Sequence, residues 1–352
     1  GESFDAIGIG VGTEDVNTTA TTSGNVSNAL VARNRVNGVS NDTTFSAAGI
    51  AVAGGTLGAN TILNNMVSGV ISDATTPDIP TGIWVAGVTG SNTILYHNSV
   101  SMTGDRSALT TPGTSQLPSY GIAITGVDPT VEMKNNIFYT TQTAETVANP
   151  SALSYAVGMV STTFINLDSD SNDFWSAGPR DGGFRTGSLA SAAGTSHADL
   201  SAWQVAISND LVSQEADPVF IDPANDLHLN ALTTPLLGDG QGGESFDHDG
   251  DPRPAANTEI GADEIVQAEG GSIAGGSYYY AYLATGETLG GNVQVNGRLF
   301  INGVISPGAN ILTIGCGASI AGGGAASYIN GAITKNYCGA ENFTFPVGDG
   351  GF

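Results

Sequence analysis

The chain has 352 residues, 50 of them glycine, with 9 Lys and Arg against 33 Asp and Glu, for a formal charge of −24. Such a field repels nucleic acid, so no nucleic-acid partner is expected, and it disfavours anionic polysaccharides unless divalent cations bridge. It favours solubility and suits a salty medium that screens the repulsion. No apolar stretch approaches a membrane span, so no membrane insertion is expected of this segment. No signal peptide is visible. The chain starts at Gly1 without Met and ends at Phe352 in mid-pattern, which reads as a piece of a longer polypeptide or a processed form.

The first 175 residues repeat. Ala6-Ile7-Gly8-Ile9 matches Gly49-Ile50-Ala51-Val52, Gly82-Ile83-Trp84-Val85, Gly121-Ile122-Ala123-Ile124 and Ala156-Val157-Gly158-Met159. Asn34, Asn65, Asn98, Asn136 and Asn172 each stand two residues before an apolar residue: Val36, Val67, Val100, Phe138 and Phe174. The spacings between these asparagines are 31, 33, 38 and 36 residues, so the variation lies in the loops. A period of two inside each short run predicts strands with alternate side chains inward. Repeats of this length predict stacked units with a continuous apolar core. Asn tolerates left-handed backbone and bonds locally, so Asn64-Asn65 and Asn135-Asn136 read as tight turns whose side chains bond up the stack. Parallel strands are expected over 1–265, with Ile50, Ile83 and Ile122 stacked inside.

Three loops are long: Ile71 to Thr81, Met102 to Ser119, and Thr140 to Ser154. Equivalent positions in a stack of repeats point the same way, so these loops predict one decorated face that binds a partner weakly and repeatedly. Deleting Met102 to Ser119 is expected to weaken adhesion without unfolding the repeats. Residues 176–240 break the pattern. Leu200 to Gln204 reads as a short helix capped by Ser196 or Asp199. Pro235 and Gly238 to Gly243 mark loops.

Asp247, Asp249 and Asp251 around Gly250 suggest a calcium loop, but the sixth-position Gly and twelfth-position Glu of an EF-hand are missing. A structural turn in which Arg253 pairs with a carboxylate is the preferred reading. Beyond Val266 the chain turns Gly-rich and reads as a second β module, 266–352. Tyr278 to Tyr282 opens it, and Asn-Gly at 296, 302 and 330 signals turns between β-runs. Cys316 and Cys338 are separated by 22 residues, in similar Cys-Gly contexts. A disulfide bridging neighbouring strands is expected, with two buried free thiols as the alternative; metal binding needs more ligands than the pair offers.

The repeats resemble the right-handed parallel β-helix family, the pectate-lyase-like solenoids. The end of the region strengthens this resemblance: Asp217-Pro218-Val219-Phe220, Asp226-Leu227-His228-Leu229, Asp247 to Pro254, then Glu259-Ile260-Gly261-Ala262-Asp263-Glu264. This order is similar to the closing segment of many secreted bacterial β-helix proteins, except that Asp263 stands where an aromatic is usual. Ser327 to Gly331 and Phe343 to Gly350 are similar to a module of very large secreted surface proteins of Bacteroidota. The resemblance implies an all-β solenoid followed by a Gly/Asn-rich module, secretion, and attachment at the bacterial cell surface.

That family holds lyases, glycosidases and non-enzymatic adhesins, so fold does not decide function. A lyase needs a base and usually calcium on acidic side chains. Lys134, Lys335 and seven arginines are the candidates, and neither Arg33 nor Lys134 has an acidic cluster visible beside it in sequence. A glycosidase needs two positioned carboxylates. Clustered Asp pairs with a Gly-His-Gly strand are absent, and His97, His197, His228 and His248 show no motif spacing. The reading is therefore a structural and adhesive segment with no catalytic residues and no certain cofactor, calcium aside. Its expected partners are cell-surface glycans or proteins. A subunit of an extracellular filament and a carbohydrate-active enzyme are the alternatives. Trp84 and Tyr96, if exposed, supply a sugar-stacking platform.

Overall fold

A computed structural model of the chain describes residues 4–19, 26–109, 117–144, 152–190, 193–230, 236–238, 244–254, 258–267, 271–340 and 342–348. The loop signals at Pro235 and at 239–243, and the middles of two long loops at 110–116 and 145–151, lie outside the described residues. The chain divides into two compact units, 1–244 with 255–263, and 245–254 with 264–352. The Asp-rich stretch at 245–254 thus groups with the second unit, where the sequence placed it in the first.

The first unit is built from three sheets that the chain visits in turn. The first sheet runs in parallel through Ala6–Val11, Ala47–Gly54, Pro80–Gly87, Ser119–Gly126, Ser154–Met159 and Asp181–Thr186, and Thr195–His197 closes it antiparallel. The second runs through Leu30–Ala32, Ala59–Leu63, Asn92–Tyr96, Thr130–Lys134 and Leu167–Asp170. The third runs through Arg35–Asn37, Met66–Ser68, Ser99–Met102, Ile137–Thr140 and Asp173–Ser176. Every pairing within the second and third sheets is parallel.

Register follows the repeat. Ile50, Ile83, Ile122 and Val157 are neighbours across the first sheet and are buried. Val67, Val100, Phe138 and Phe174 form the facing column. Between them lies a column of small residues. A Cβ on Gly82 would sit 2.2 Å from Val100 Cγ1 and 2.8 Å from the Gly121 carbonyl oxygen, so no side chain fits. This column corrects the alignment of the first repeat. Ile9, not Ile7, pairs with Ile50. A Cβ on Gly8 would meet Gly49 O and Val36 Cγ1 at 2.6 Å, so Gly8 must take the place beside Gly49.

Asn34, Asn65, Asn98, Asn136 and Asn172 stack at the turn from the second sheet to the third. Each Nδ2 donates to the Oδ1 of the next at 2.9 Å, and so on through all four steps. The same Oδ1 accepts the preceding asparagine's backbone N–H at 2.9 to 3.0 Å. The residues just before them, Arg33, Asn64, His97, Asn135 and Ser171, all take φ between 52° and 56°. That left-handed step turns the chain sharply and aims each amide inward. Asp210 ends the row: its Oδ1 accepts from Asn172 Nδ2 at 3.3 Å, and Oδ2 accepts from Trp203 Nε1 at 2.8 Å.

The apolar column ends on a helix, Leu200–Ile207, capped by Asp199, whose side chain accepts the Ala202 N–H at 2.8 Å. Trp203 from this helix stacks on Phe184 at 5.1 Å. Phe184 in turn packs edge-on against Phe174 at 5.3 Å. Leu200, Trp203 and Ile207 are buried, so the helix closes the core at that end.

The second unit is also a parallel sheet. Val266–Gln267, Gly276–Ala284, Val293–Asn302, Leu312–Ile314 and Ile333–Lys335 lie side by side, with Ser319–Gly322 beside Val293–Asn302. Asn302-Gly303 and Asn330-Gly331 fall at turns between strands, as expected, but Asn296-Gly297 does not. It falls inside a strand, at a register shift opposite Tyr278 to Tyr280. Leu283, Val295, Leu299, Ile314 and Ile329 fill this core.

Cys316 and Cys338 are joined by a disulfide with Cα atoms 5.3 Å apart. Replacing Cys316 with Ser frees a 22-residue loop in the unfolded chain. The expected loss is about 3 kcal/mol, from the loop-closure entropy. Urea unfolding of this unit, followed by its tyrosine signal, checks it; a loss under about 1 kcal/mol contradicts the expectation.

Candidate functional site

Two of the three sheets in the first unit are covered on their outward faces. On the first sheet, Trp84, Tyr120 and Tyr155 point outward but are buried under Val16, Ile79, Leu117 and Leu189. Ile79 and Leu117 come from two of the long loops, Val16 and Leu189 from other connections. The described parts of these long loops lie over the sheet, and Arg106 within one of them is buried, donating from Nη1 to Leu117 O at 2.6 Å. Deleting Met102 to Ser119 therefore removes part of a core, contrary to expectation. Trp84 is also corrected: it is fully buried, with Nε1 donating to Asn17 O at 3.2 Å, and offers no stacking surface. Ala51 and Ala123 flank it across the sheet and leave room for its ring.

The third sheet is covered by the chain after the helix. Ser101 Oγ donates to Pro223 O at 2.6 Å, Asn37 Nδ2 to Ala224 O at 2.9 Å, and Ala262 N to Ser99 Oγ at 2.9 Å. Phe220 packs edge-on against Tyr139 at 5.8 Å. Serines suit these outward positions because a backbone lies over them.

The second sheet keeps its outward positions half-exposed or exposed, with alternate residues buried. Two columns cross it. Leu63, Tyr96, Lys134 and Asp170 form one; Thr61, Ile94, Glu132 and Asp168 form the other. At their centre Tyr96 Oη donates to Glu132 Oε1. Lys134 Nζ lies 3.6 Å from Glu132 Oε1 and 3.3 Å from Asp168 Oδ2. Lys134 thus has the acidic neighbours that linear reading did not find. Aligning Asn98 with Asn136 and Asn172 places Tyr96 against Lys134, and Glu132 against Asp168; that was the available signal.

The Asp247, Asp249 and Asp251 stretch folds in the second unit as the structural turn the sequence favoured. Asp247 Oδ1 accepts N–H bonds from Asp249, Gly250 and Asp251 at 2.7 to 2.9 Å, and Oδ2 accepts the Glu264 N–H at 3.0 Å. Asp251 accepts the N–H groups of Tyr279 and Tyr280, where the strand register shifts. Burial pushes the Asp251 carboxyl up to about 7. Arg253 Nη1 pairs with Glu264 Oε2 at 3.0 Å. The stretch is a turn knotted by carboxylates on backbone donors.

In the first unit Asp5, Asp15 and Asp78 bring carboxylate oxygens within 4.8 Å of one another. Burial, then the charge of Asp5, pushes Asp78 up to about 6. Asp5 already accepts the N–H groups of Val16 and Ser46. Oxygen donors of this kind could hold a calcium ion. The second unit holds a cavity of about 550 Å³, lined by Ile320, Gly322 to Gly324, Tyr328 and Pro346 among others. Its described lining carries no carboxylate, amine or imidazole, so it offers no acid–base chemistry.

No protein-family model, no curated protein and no solved structure matches this chain.

Proposed function

We propose that this chain is a non-catalytic structural and adhesive segment of a large bacterial cell-surface protein, folded as a right-handed parallel β-helix and working outside the cell. The observation that supports this reading most is how the polar groups are engaged. Every step of the asparagine row bonds one pass of the chain to the next. Asp210, Asp247 and Asp251 hold donors of the fold itself. Such bonds stiffen a rod; a glycosidase needs two carboxyls left facing a substrate. A net charge of −24 keeps such a rod soluble and apart from acidic polymers.

The Tyr96, Glu132, Lys134 and Asp168 group favours one second reading, a carbohydrate-active enzyme. Two assays separate them. Beads coated with the chain are tested for attachment to cells and glycan-coated surfaces. In parallel, acidic and neutral polysaccharides are incubated with the chain, with and without calcium, and new chain ends are measured. Attachment without depolymerisation is expected. Turnover abolished by Lys134→Met or Glu132→Gln would overturn the adhesive reading.

A further inference from the structure

The outward face of the second sheet has three properties that together narrow its ligand. The first is its relief. Equivalent positions recur from strand to strand, about 4.8 Å apart, in columns that run across the sheet. Such a track suits a linear polymer lying across the strands, whose repeating units advance by a comparable step.

The second is its chemistry. Leu63, Ile94 and Tyr96 supply apolar and aromatic surface at one end; Glu132, Lys134 and Asp168 supply acceptors and a donor beside it. Along one border, the turns entering the strands expose Leu57 at 87%, Val127 at 49% and Ile165 at 80%. Sugars have the matching character, with apolar C–H faces and hydroxyl edges.

The third is charge. An anionic polymer meets Glu132, Asp168, Asp170 and an overall −24. A cationic one must compete with Lys134 for Glu132 and Asp168, while Asp170 Oδ1 already accepts the N–H groups of Ser171 and Val212. Both signs are disfavoured.

We infer that this face binds a neutral linear polysaccharide laid across the strands, with the Tyr96 ring as anchor, Glu132, Lys134 and Asp168 along its hydroxyl edge, and Ile165 on the apolar border. The inference rests on the adhesive reading and names its ligand class.

Affinity electrophoresis of the whole chain tests it, in native gels containing mixed-linkage β-glucan, galactomannan or arabinoxylan. Retardation by at least one is expected, unchanged between low salt and about 0.5 M NaCl, because no counterions are released. Tyr96→Ala should weaken binding at least about tenfold, equivalent to 1.4 kcal/mol. Tyr96→Phe keeps the ring and should stay within a few-fold. Ile165→Ser alters only an exposed turn and should also weaken binding, which guards against a misfolded Tyr96 variant. Tyr337→Ala, in the other unit, should change nothing. No retardation of the wild type in any gel overturns the inference, as does equal retardation of the Tyr96→Ala and Ile165→Ser chains. Salt-sensitive binding of poly-lysine without polysaccharide binding assigns the face to a cationic partner and also overturns it. Bead attachment that survives Tyr96→Ala removes this face while leaving the adhesive reading standing.

Discussion

Asn98→Ala is expected to lower the stability of the first unit by about 3–5 kcal/mol, the cost of several buried groups losing partners together. Asn98 sits at the middle of the row and is fully buried. Its Nδ2 donates to Ile62 O at 2.8 Å, Tyr96 O at 3.1 Å and Asn136 Oδ1 at 2.9 Å. Its Oδ1 accepts from Asn65 N at 3.0 Å and Asn65 Nδ2 at 2.9 Å. Alanine keeps the turn but strands the Asn65 backbone N–H and one of its side-chain N–H groups away from water. It also takes a donor from the Ile62 and Tyr96 carbonyls, the latter keeping the Asn64 N–H. A folded domain has only about 5–15 kcal/mol in hand, so this one change removes much of it. Asn34 is the contrast. It ends the row, is half-exposed, and its Nδ2 donates to Ala32 O and Asn65 Oδ1. Asn34→Ala should cost about 1 kcal/mol. Urea unfolding followed by tryptophan fluorescence reads both, since Trp84, Trp175 and Trp203 all lie in the first unit. Equal losses for the two variants would mean that the row is not a cooperative network.

The row was legible in sequence because it is local chemistry at a fixed place in each repeat. The paired columns of Ile and Val were legible for the same reason. What covers the sheets was not. Trp84 looks like a surface aromatic in its own strand until Asn17, Val16, Leu117 and Leu189, brought over by other parts of the chain, help to bury it. Ser99 and Ser101 look solvent-facing until Ala262 and Pro223 arrive from far along the chain. The Asp247 cluster left two readings open in sequence, with the turn preferred, because ligand-rich spacing and backbone-binding spacing look alike. Asp249, Gly250 and Asp251 direct their N–H groups at one Asp247 oxygen, and spacing alone does not reveal those donors. The Tyr96 group stood between these cases. Tyr96 and Glu132 are 36 residues apart in sequence, and only the strand register joins them.

The first unit should lose stability as pH rises from about 4 towards 8, the reverse of the usual acid denaturation. The cause is a set of carboxyls held above their ordinary range. Burial raises Asp173 well above it, and the charges of Asp217 and Glu215 add to the effect. Asp173 Oδ1 accepts the Ala216 N–H at 2.9 Å, while Oδ2 has no hydrogen-bond partner. Burial likewise raises Asp5 and Asp210, and pushes Asp78 up to about 6. A folded state that holds these protons more tightly than the unfolded chain has their full contribution below about pH 4, and loses it as pH climbs through the raised values. For Asp78 that window runs from the ordinary 3.8 to about 6. Asp105 and Asp222 act with the opposite sign, held down by the side chains of Ser107 and Asn225. Their window lies below the ordinary 3.8 and does not overlap. Growing repulsion within an acidic chain also destabilises it as pH rises, so a general charge effect must be separated from a local one. Asp173→Asn does this. The amide keeps an acceptor for the Ala216 N–H and carries no charge at any pH. It should leave the melting temperature unchanged at pH 4 and raise it at pH 8. Asp168→Asn removes an exposed carboxylate and should shift both pH values little. Melting curves read by tryptophan fluorescence report this unit alone. A wild-type melting temperature that rises from pH 4 to 7, or an Asp173→Asn chain destabilised at pH 8, would show that Asp173 is charged in the folded protein and held by a partner that stabilises it.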